Sequence, residues 1–125
     1  MKNALIVLTI LITGAITAQK PISKTVGEFT ELKVYDLINV EMIKSKENKV
    51  EISGKNASEV VIINKDGILK IRLILEESFD GNKTDVKLYY TAVDIVDVNE
   101  GSSVSSQEKI NQFEIELRAQ EGGLI

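Results

Sequence analysis

The sequence predicts an all-β fold, and three observations carry that expectation. Apolar residues alternate at period two, turn-forming clusters separate the alternating runs, and short strands recur with Gly and Ser in the last third. Period two is the spacing of a half-buried strand, whose successive side chains point to opposite faces. Leu32 and Val34 flank Lys33, Ile38, Val40 and Met42 alternate with Asn39 and Glu41, and Val50 and Ile52 bracket Glu51. The strongest run is Leu69, Ile71, Leu73 and Leu75, with Lys70 and Arg72 facing the other way. Val86, Leu88 and Tyr90 follow, then Val96 and Val98, and finally Ile115 and Leu117. These runs are short and rich in Val and Ile, whose branched side chains suit a pleated surface better than a helix. The alternation assigns Val40, Ile71 and Leu73 to the interior and Glu41, Lys70 and Arg72 to solvent.

The turn formers are Lys46-Glu47-Asn48, Asp66-Gly67, Asp80-Gly81-Asn82 and Glu100-Gly101-Ser102. Asp66-Gly67 is the sharpest, because a two-residue turn with positive φ at both positions favours Asp or Asn followed by Gly. It is expected to join residues 60–64 to residues 68–75 as a hairpin. Residues 55–61 carry possible N-caps at Asn56 and Ser58, which fits a single helical turn before that strand. No long helix is expected, and the one proline, Pro21, marks neither a linker nor a second domain.

Val96-Asp97-Val98 followed by Gly101-Ser102 reappears as Ile115-Glu116-Leu117 followed by Gly122-Gly123. A period of about 20 residues is the mark of a solenoid, in which each coil buries its inner face on its neighbours. The same strands fit a sandwich equally well on spacing alone.

The first eighteen residues read as a signal peptide. Lys2 supplies a positive start, residues 4–12 form an apolar stretch interrupted only by Thr9, and Thr13, Gly14 and Ala15 lower the hydrophobicity. Such a stretch is too short for a transmembrane helix, which needs about 20 apolar residues. Cleavage is expected after Ala18, leaving residues 19–125 as one mature domain with no stable transmembrane span. No cysteine follows to receive a lipid anchor, and none is present for a disulfide, so stability must come from burial and backbone pairing. The net charge of −4 argues against nucleic acid as a partner, since phosphate binding needs a basic surface.

Without His or Cys in the chain, Cys-His and Ser-His-Asp nucleophiles are excluded, as are the usual zinc and transition-metal sites. No cofactor is expected, and no catalytic, cofactor-binding or metal residue is assigned. Carboxylate-only chemistry survives this filter, because glycosidases need two acids about 5–10 Å apart. Asp94 with Asp97, or Glu76 and Glu77 with Asp80, are the available acids. Adjacent strand residues, and residues three apart, face opposite sides, so neither set aims two carboxylates at one point. Asp80, Asn82 and Asp85 around Gly81 resemble a calcium loop but lack its full ligand spacing. Asn56-Ala57-Ser58 and Asn82-Lys83-Thr84 fit the glycosylation sequon. Tyr35, Tyr89 and Tyr90 offer either a sugar-stacking platform or cross-strand packing.

Phe29, Leu32, Val34, Ile38, Val40 and Met42, then Val50-Glu51-Ile52-Ser53-Gly54, then residues 65–71 with the Asp66-Gly67 turn, resemble the opening of the putative auto-transporter adhesin, head GIN domain family. The resemblance runs from Val26 to the last residue and implies a right-handed parallel β-helix with irregular capping strands at its N-terminus, the β-sandwich being the alternative. It also implies an exported protein of a family without an established function, and with the absence of catalytic residues the reading is a non-enzymatic surface or periplasmic binding or structural module, an adhesin by the family's name, with a cell-surface glycan or protein as its expected partner. The rival reading is a polysaccharide-active β-helix enzyme using carboxylates. Leu124-Ile125 follows Gly122-Gly123 where a further strand is expected, so the chain reads as the first part of a longer solenoid that self-associates through its exposed coil end.

Overall fold

The computed structural model describes residues 20–74 and 80–125, and the expected signal peptide lies outside them. Ten strands follow in order: β1 Ile22–Thr25, β2 Glu31–Val34, β3 Asn39–Lys44, β4 Lys49–Gly54, β5 Val60–Lys65, β6 Ile68–Leu73, β7 Thr84–Tyr90, β8 Ile95–Val98, β9 Ser103–Ser105 and β10 Glu116–Ala119. The helical turn expected in residues 55–61 is a 3₁₀ turn at Ala57–Glu59, which Asn56 precedes with a φ of 64° and no side-chain cap bond. Asp66-Gly67 joins β5 to β6 as an antiparallel hairpin, with Lys65 opposite Ile68 and φ of 54° and 77° at the turn.

The strands form two five-stranded sheets, ordered β1-β4-β7-β3-β9 and β10-β8-β2-β6-β5. Their inner faces share one core. Val40, Met42, Val50, Ile52, Val86, Leu88, Tyr90 and Val104 enter it from the first sheet, and Leu32, Val34, Leu69, Ile71, Leu73, Val96 and Val98 from the second. The period-two alternation holds in β2, β3, β4, β6 and β7, so Val40, Ile71 and Leu73 are buried while Glu41, Lys70 and Arg72 are not, whereas in β8 Asp97 is buried together with Val96 and Val98.

The right-handed parallel β-helix is not the architecture found, and a sandwich-like arrangement of two mixed sheets fits instead. A solenoid places each strand parallel to its equivalent in the next coil. Here β4 runs antiparallel to both β1 and β7, and β6 runs antiparallel to β5. Neither sheet closes on itself. The recurrence in the last third is a parallel pairing of β8 with β10 inside one sheet, in register Val96 with Leu117. Ile115, which hydrophobicity alone aligns with Val96, lies two positions before that partner. The strand spacing therefore equals the spacing from Gly101 to Gly122.

Three crossings from the second sheet toward the first, after β2, β8 and β10, use one repeated turn. Bonds from Ile38 N to Tyr35 O (3.4 Å), Ser102 N to Asn99 O (3.1 Å) and Gly123 N to Gln120 O (2.8 Å) close three such turns. Both central residues have positive φ in each: Asp36 and Leu37, Glu100 and Gly101, Glu121 and Gly122. The turns stack through Leu37 N donating to Glu100 O (3.1 Å) and Gly101 N to Glu121 O (3.0 Å). Asp36 is buried, and its Oδ2 accepts from Leu73 N at 3.0 Å, satisfying a backbone donor at the end of β6.

Candidate functional site

The outer face of the first sheet carries a graded polar surface, which the strand registers assemble from distant parts of the chain. One row across the sheet is Ser53, Asp85, Asn39 and Ser103. The next is Ser23, Glu51, Lys87, Glu41 and Ser105, and the third is Thr25, Lys49, Tyr89 and Ile43. All of these alternate with core residues such as Val40, Val86 and Ile52, and so point away from the interior.

In the first row the polar groups are linked. Ser103 Oγ donates to Asn39 Oδ1 at 2.7 Å, while Asn39 Nδ2 donates to Asn82 O at 3.2 Å and lies 3.4 Å from Asp85 Oδ1. This fixes the Asn39 amide and leaves further acceptor capacity on Asp85 and Ser103. In the second row Lys87 sits between Glu51 and Glu41, an alternation in which opposite charges are cross-strand neighbours. The two rows line a shallow depression of about 380 Å³. At its far side Tyr89 projects outward with Lys49 Nζ 4.9 Å from its ring centroid. The face is thus rich in hydrogen-bonding groups, close to charge-balanced, and open.

Among the described residues the acids singled out in the sequence do not converge. Asp97 is 4% exposed, and its Oδ1 accepts from Asn99 Nδ2 at 3.1 Å and Gln120 Nε2 at 3.0 Å. Asp94 is exposed one residue before β8. Glu76 and Glu77 lie outside the described residues. Asp80 pairs with Lys55 Nζ at 2.6 Å and accepts from Asn56, and the Lys55 bond holds its carboxyl below the usual range. Asn56 is therefore engaged in the fold, bonding Asp80 through both its backbone and its carboxylate. Among the described residues no group of three or more acids could hold a metal ion.

The three tyrosines do not form one platform. Tyr90 is 4% exposed in the core, where burial raises its pKa, Tyr35 is half-buried beside the stacked turns, and Tyr89 alone belongs to the polar face. Sequence reasoning missed Ser53 and Ser103 as surface partners of Asn39, and treated Asp85 only as part of a loop. Their one signal is a polar residue at the outward phase of each run, which says nothing of which strands are neighbours.

Among the described residues no helix is long and apolar enough to cross a membrane. No curated protein matches the chain. Solved structures resemble its fold: a putative adhesin from Bacteroides fragilis at 13% identity and a TM-score of 0.71, covering 85% of this chain and 52% of that one. A putative adhesin from Parabacteroides merdae matches at 17% identity and a TM-score of 0.62, covering 80% and 44%. One from Parabacteroides distasonis matches at 21% and 0.56, covering 69% and 38%. The chain spans about half the length of the first of these, and less of the others. A family model matches residues 28–125, and the chain belongs to the family described as putative auto-transporter adhesin, head GIN domain.

Proposed function

We propose that this chain is an exported, non-enzymatic module that binds a cell-surface glycan through the outer face of β4, β7, β3 and β9. Residues 1–18 act as the export signal and residues 19–125 as the mature domain, at the cell surface or in the periplasm. The observation that carries the reading is the linked row of Ser103, Asn39 and Asp85. Held donors and acceptors on a rigid sheet match the hydroxyl pattern of a sugar, and prior fixation lowers the entropy lost on binding. Tyr89 lies two rows away on the same face and adds an aromatic ring there. The alternation of Glu51, Lys87 and Glu41 favours a neutral glycan over a strongly acidic one. Family membership and the adhesin relatives support a binding role in place of catalysis.

A glycan array beside a reducing-sugar assay tests this. The reading expects binding without turnover, lost in Asn39→Ala and Asp85→Ala and kept in Lys70→Ala on the other sheet. Turnover abolished by Asp97→Asn, or capture of a protein ligand with no glycan bound, would overturn it.

A further inference from the structure

Charge is distributed unequally between the two outer faces. Strands β3, β4 and β7 of the first sheet carry three cations and three carboxylates. Strands β2, β5 and β6 of the second carry Lys33, Lys65, Lys70 and Arg72 against Glu31 alone, in a chain whose net charge is −4. These side chains stand in the outward phase, alternating with buried residues such as Leu32, Leu69 and Ile71. Lys33 and Lys70 are register partners on adjacent parallel strands, about 4.8 Å apart at the backbone, where like charges repel. Glu31 lies 3.8 Å from Lys33 and 3.8 Å from Arg118, so its one charge is shared. Lys65 and Lys70 are exposed and enter no ion pair among the described residues, and Arg72 donates to the carbonyl of Leu73 at 3.2 Å. Beside Lys70, on the outermost strand β5, Ile63 is 39% exposed. All three strands lie on the far side of β8 from β10.

We infer that this face, the outer side of β5, β6 and β2, docks on the surface of an anionic phospholipid bilayer. The docking does not depend on the glycan reading. Lys65 is the register partner of Ile68, four residues along β6 from Arg72, and the face is three strands wide, so the cations spread over about 13 Å by about 10 Å. Cations so dispersed do not converge on a single phosphate or carboxylate, and they match a plane of many separate headgroup charges. A broad sheet face presents them to such a plane together, and each Lys or Arg within a Debye length of an anionic leaflet adds to the attraction. Ile63 distinguishes a bilayer from a soluble polyanion. An apolar side chain among cations gains nothing from an acidic polymer, but it can enter the boundary between headgroups and acyl chains, as amphipathic surface elements do. The long stems of Lys65 and Lys70 keep their ammonium groups at headgroup level meanwhile. Docking in this way leaves the polar face of the first sheet turned away from the membrane, because the two outer faces lie on opposite sides of the shared core.

Co-sedimentation with vesicles tests the docking, using the full chain expressed with its leader and purified after export. The probes are vesicles of phosphatidylcholine alone and vesicles of phosphatidylcholine and phosphatidylglycerol in equal parts. Wild type should bind the mixed vesicles, release them as salt rises, and ignore the neutral ones. Loss of one cation should weaken binding about fivefold, so the reversals Lys70→Glu and Arg72→Asp should each weaken it at least about tenfold. Lys46→Glu, the same charge change in the turn between β3 and β4, should leave binding unchanged. Ile63→Ser should weaken binding while preserving its salt dependence. Urea midpoints near wild type for these variants would show that the fold survives. No binding to the mixed vesicles at low salt, equal binding to the neutral ones, or undiminished binding in Lys70→Glu would overturn the inference. Capture by soluble polyglutamate, with Ile63→Ser binding vesicles as tightly as wild type, would overturn the bilayer as occupant and assign the face to an acidic polymer.

Discussion

Gly81 approaches the first of the stacked turns so closely that a single methyl group there should be among the most damaging changes in the protein. A Cβ at Gly81 would stand 1.7 Å from Asp36 O, 2.9 Å from Asp36 C and 3.2 Å from Ile38 N. All three are backbone atoms, and the first lies far inside the 3.0 Å that Cβ atoms keep. The turn has little room to yield, because Asp36 Oδ2 is bonded to Leu73 N and Leu37 N to Glu100 O. Overpacking a rigid site costs about 1–3 kcal/mol and occasionally more, and disturbing the Asp36 bond adds to this, so Gly81→Ala should cost about 3 kcal/mol or more. Gly67 supplies the contrast. Its φ of 77° is left-handed, but its Cβ would meet only Thr30 Oγ1, at 3.5 Å. Gly67→Ala should therefore cost only the left-handed strain, about 1–2 kcal/mol. Urea unfolding followed by circular dichroism reads both. With a slope of about 1–3 kcal/mol per molar urea, Gly81→Ala should lower the midpoint by roughly 1–3 M and Gly67→Ala by less. A midpoint for Gly81→Ala at the wild-type value, or above that of Gly67→Ala, would refute the close approach.

Three further predictions follow from the core and the turns. Ile71→Asp buries an unpaired charge in the shared core and should cost several kcal/mol, while Arg72→Asp on the outer phase should cost well under about 1 kcal/mol; equal urea midpoints would overturn the face assignment. Asp36→Ala leaves Leu73 N without its acceptor and should cost about 1–3 kcal/mol, whereas Asp36→Asn keeps an acceptor and tolerates the left-handed turn, so its midpoint should stay close to wild type. Hydrogen bonding with Asp36, then burial, raises the Glu100 carboxyl above its ordinary value. Its contribution to stability is then fully present below the unfolded pKa and is lost as pH rises through the folded pKa. Glu100→Gln should flatten that fall in a series of thermal melts across acidic pH, and an unchanged slope would contradict it.

The strand faces were legible in the sequence because burial repeats every second residue, as in the runs around Val40 and Ile71. The Asp66-Gly67 hairpin was legible because its chemistry is local. Other features depend on which strands become neighbours, and nothing local specifies that. The row of Ser53, Asp85, Asn39 and Ser103 draws on four separate segments. β1 and β9 escaped notice because Ile22–Thr25 and Ser103–Ser105 each carry a single apolar side chain. The parallel pairing of β8 with β10 looked like the first coils of a solenoid, but the antiparallel pairings of β4 and β5 make the sheets mixed. Asp36-Leu37 adopts the same turn as Glu100-Gly101, yet leucine gives no hint of a φ of 62°. Asp97 stood in the sequence only as one of the available acids, yet it is buried, with its carboxylate satisfied by Asn99 and Gln120.

The measurement that bears most directly on the proposed binding role is an NMR titration of the isotopically labelled, exported chain with the glycan that scores highest on the array. The Asn39 side-chain amide and the backbone amides of Ser53, Asp85, Lys87 and Ser103 should shift together and saturate at one affinity, while those of Lys70 and Arg72 on the second sheet stay still. Shifts concentrated on the second sheet or the β10 edge, with the Asn39 amide unmoved, would contradict the assignment of the polar face as the binding surface.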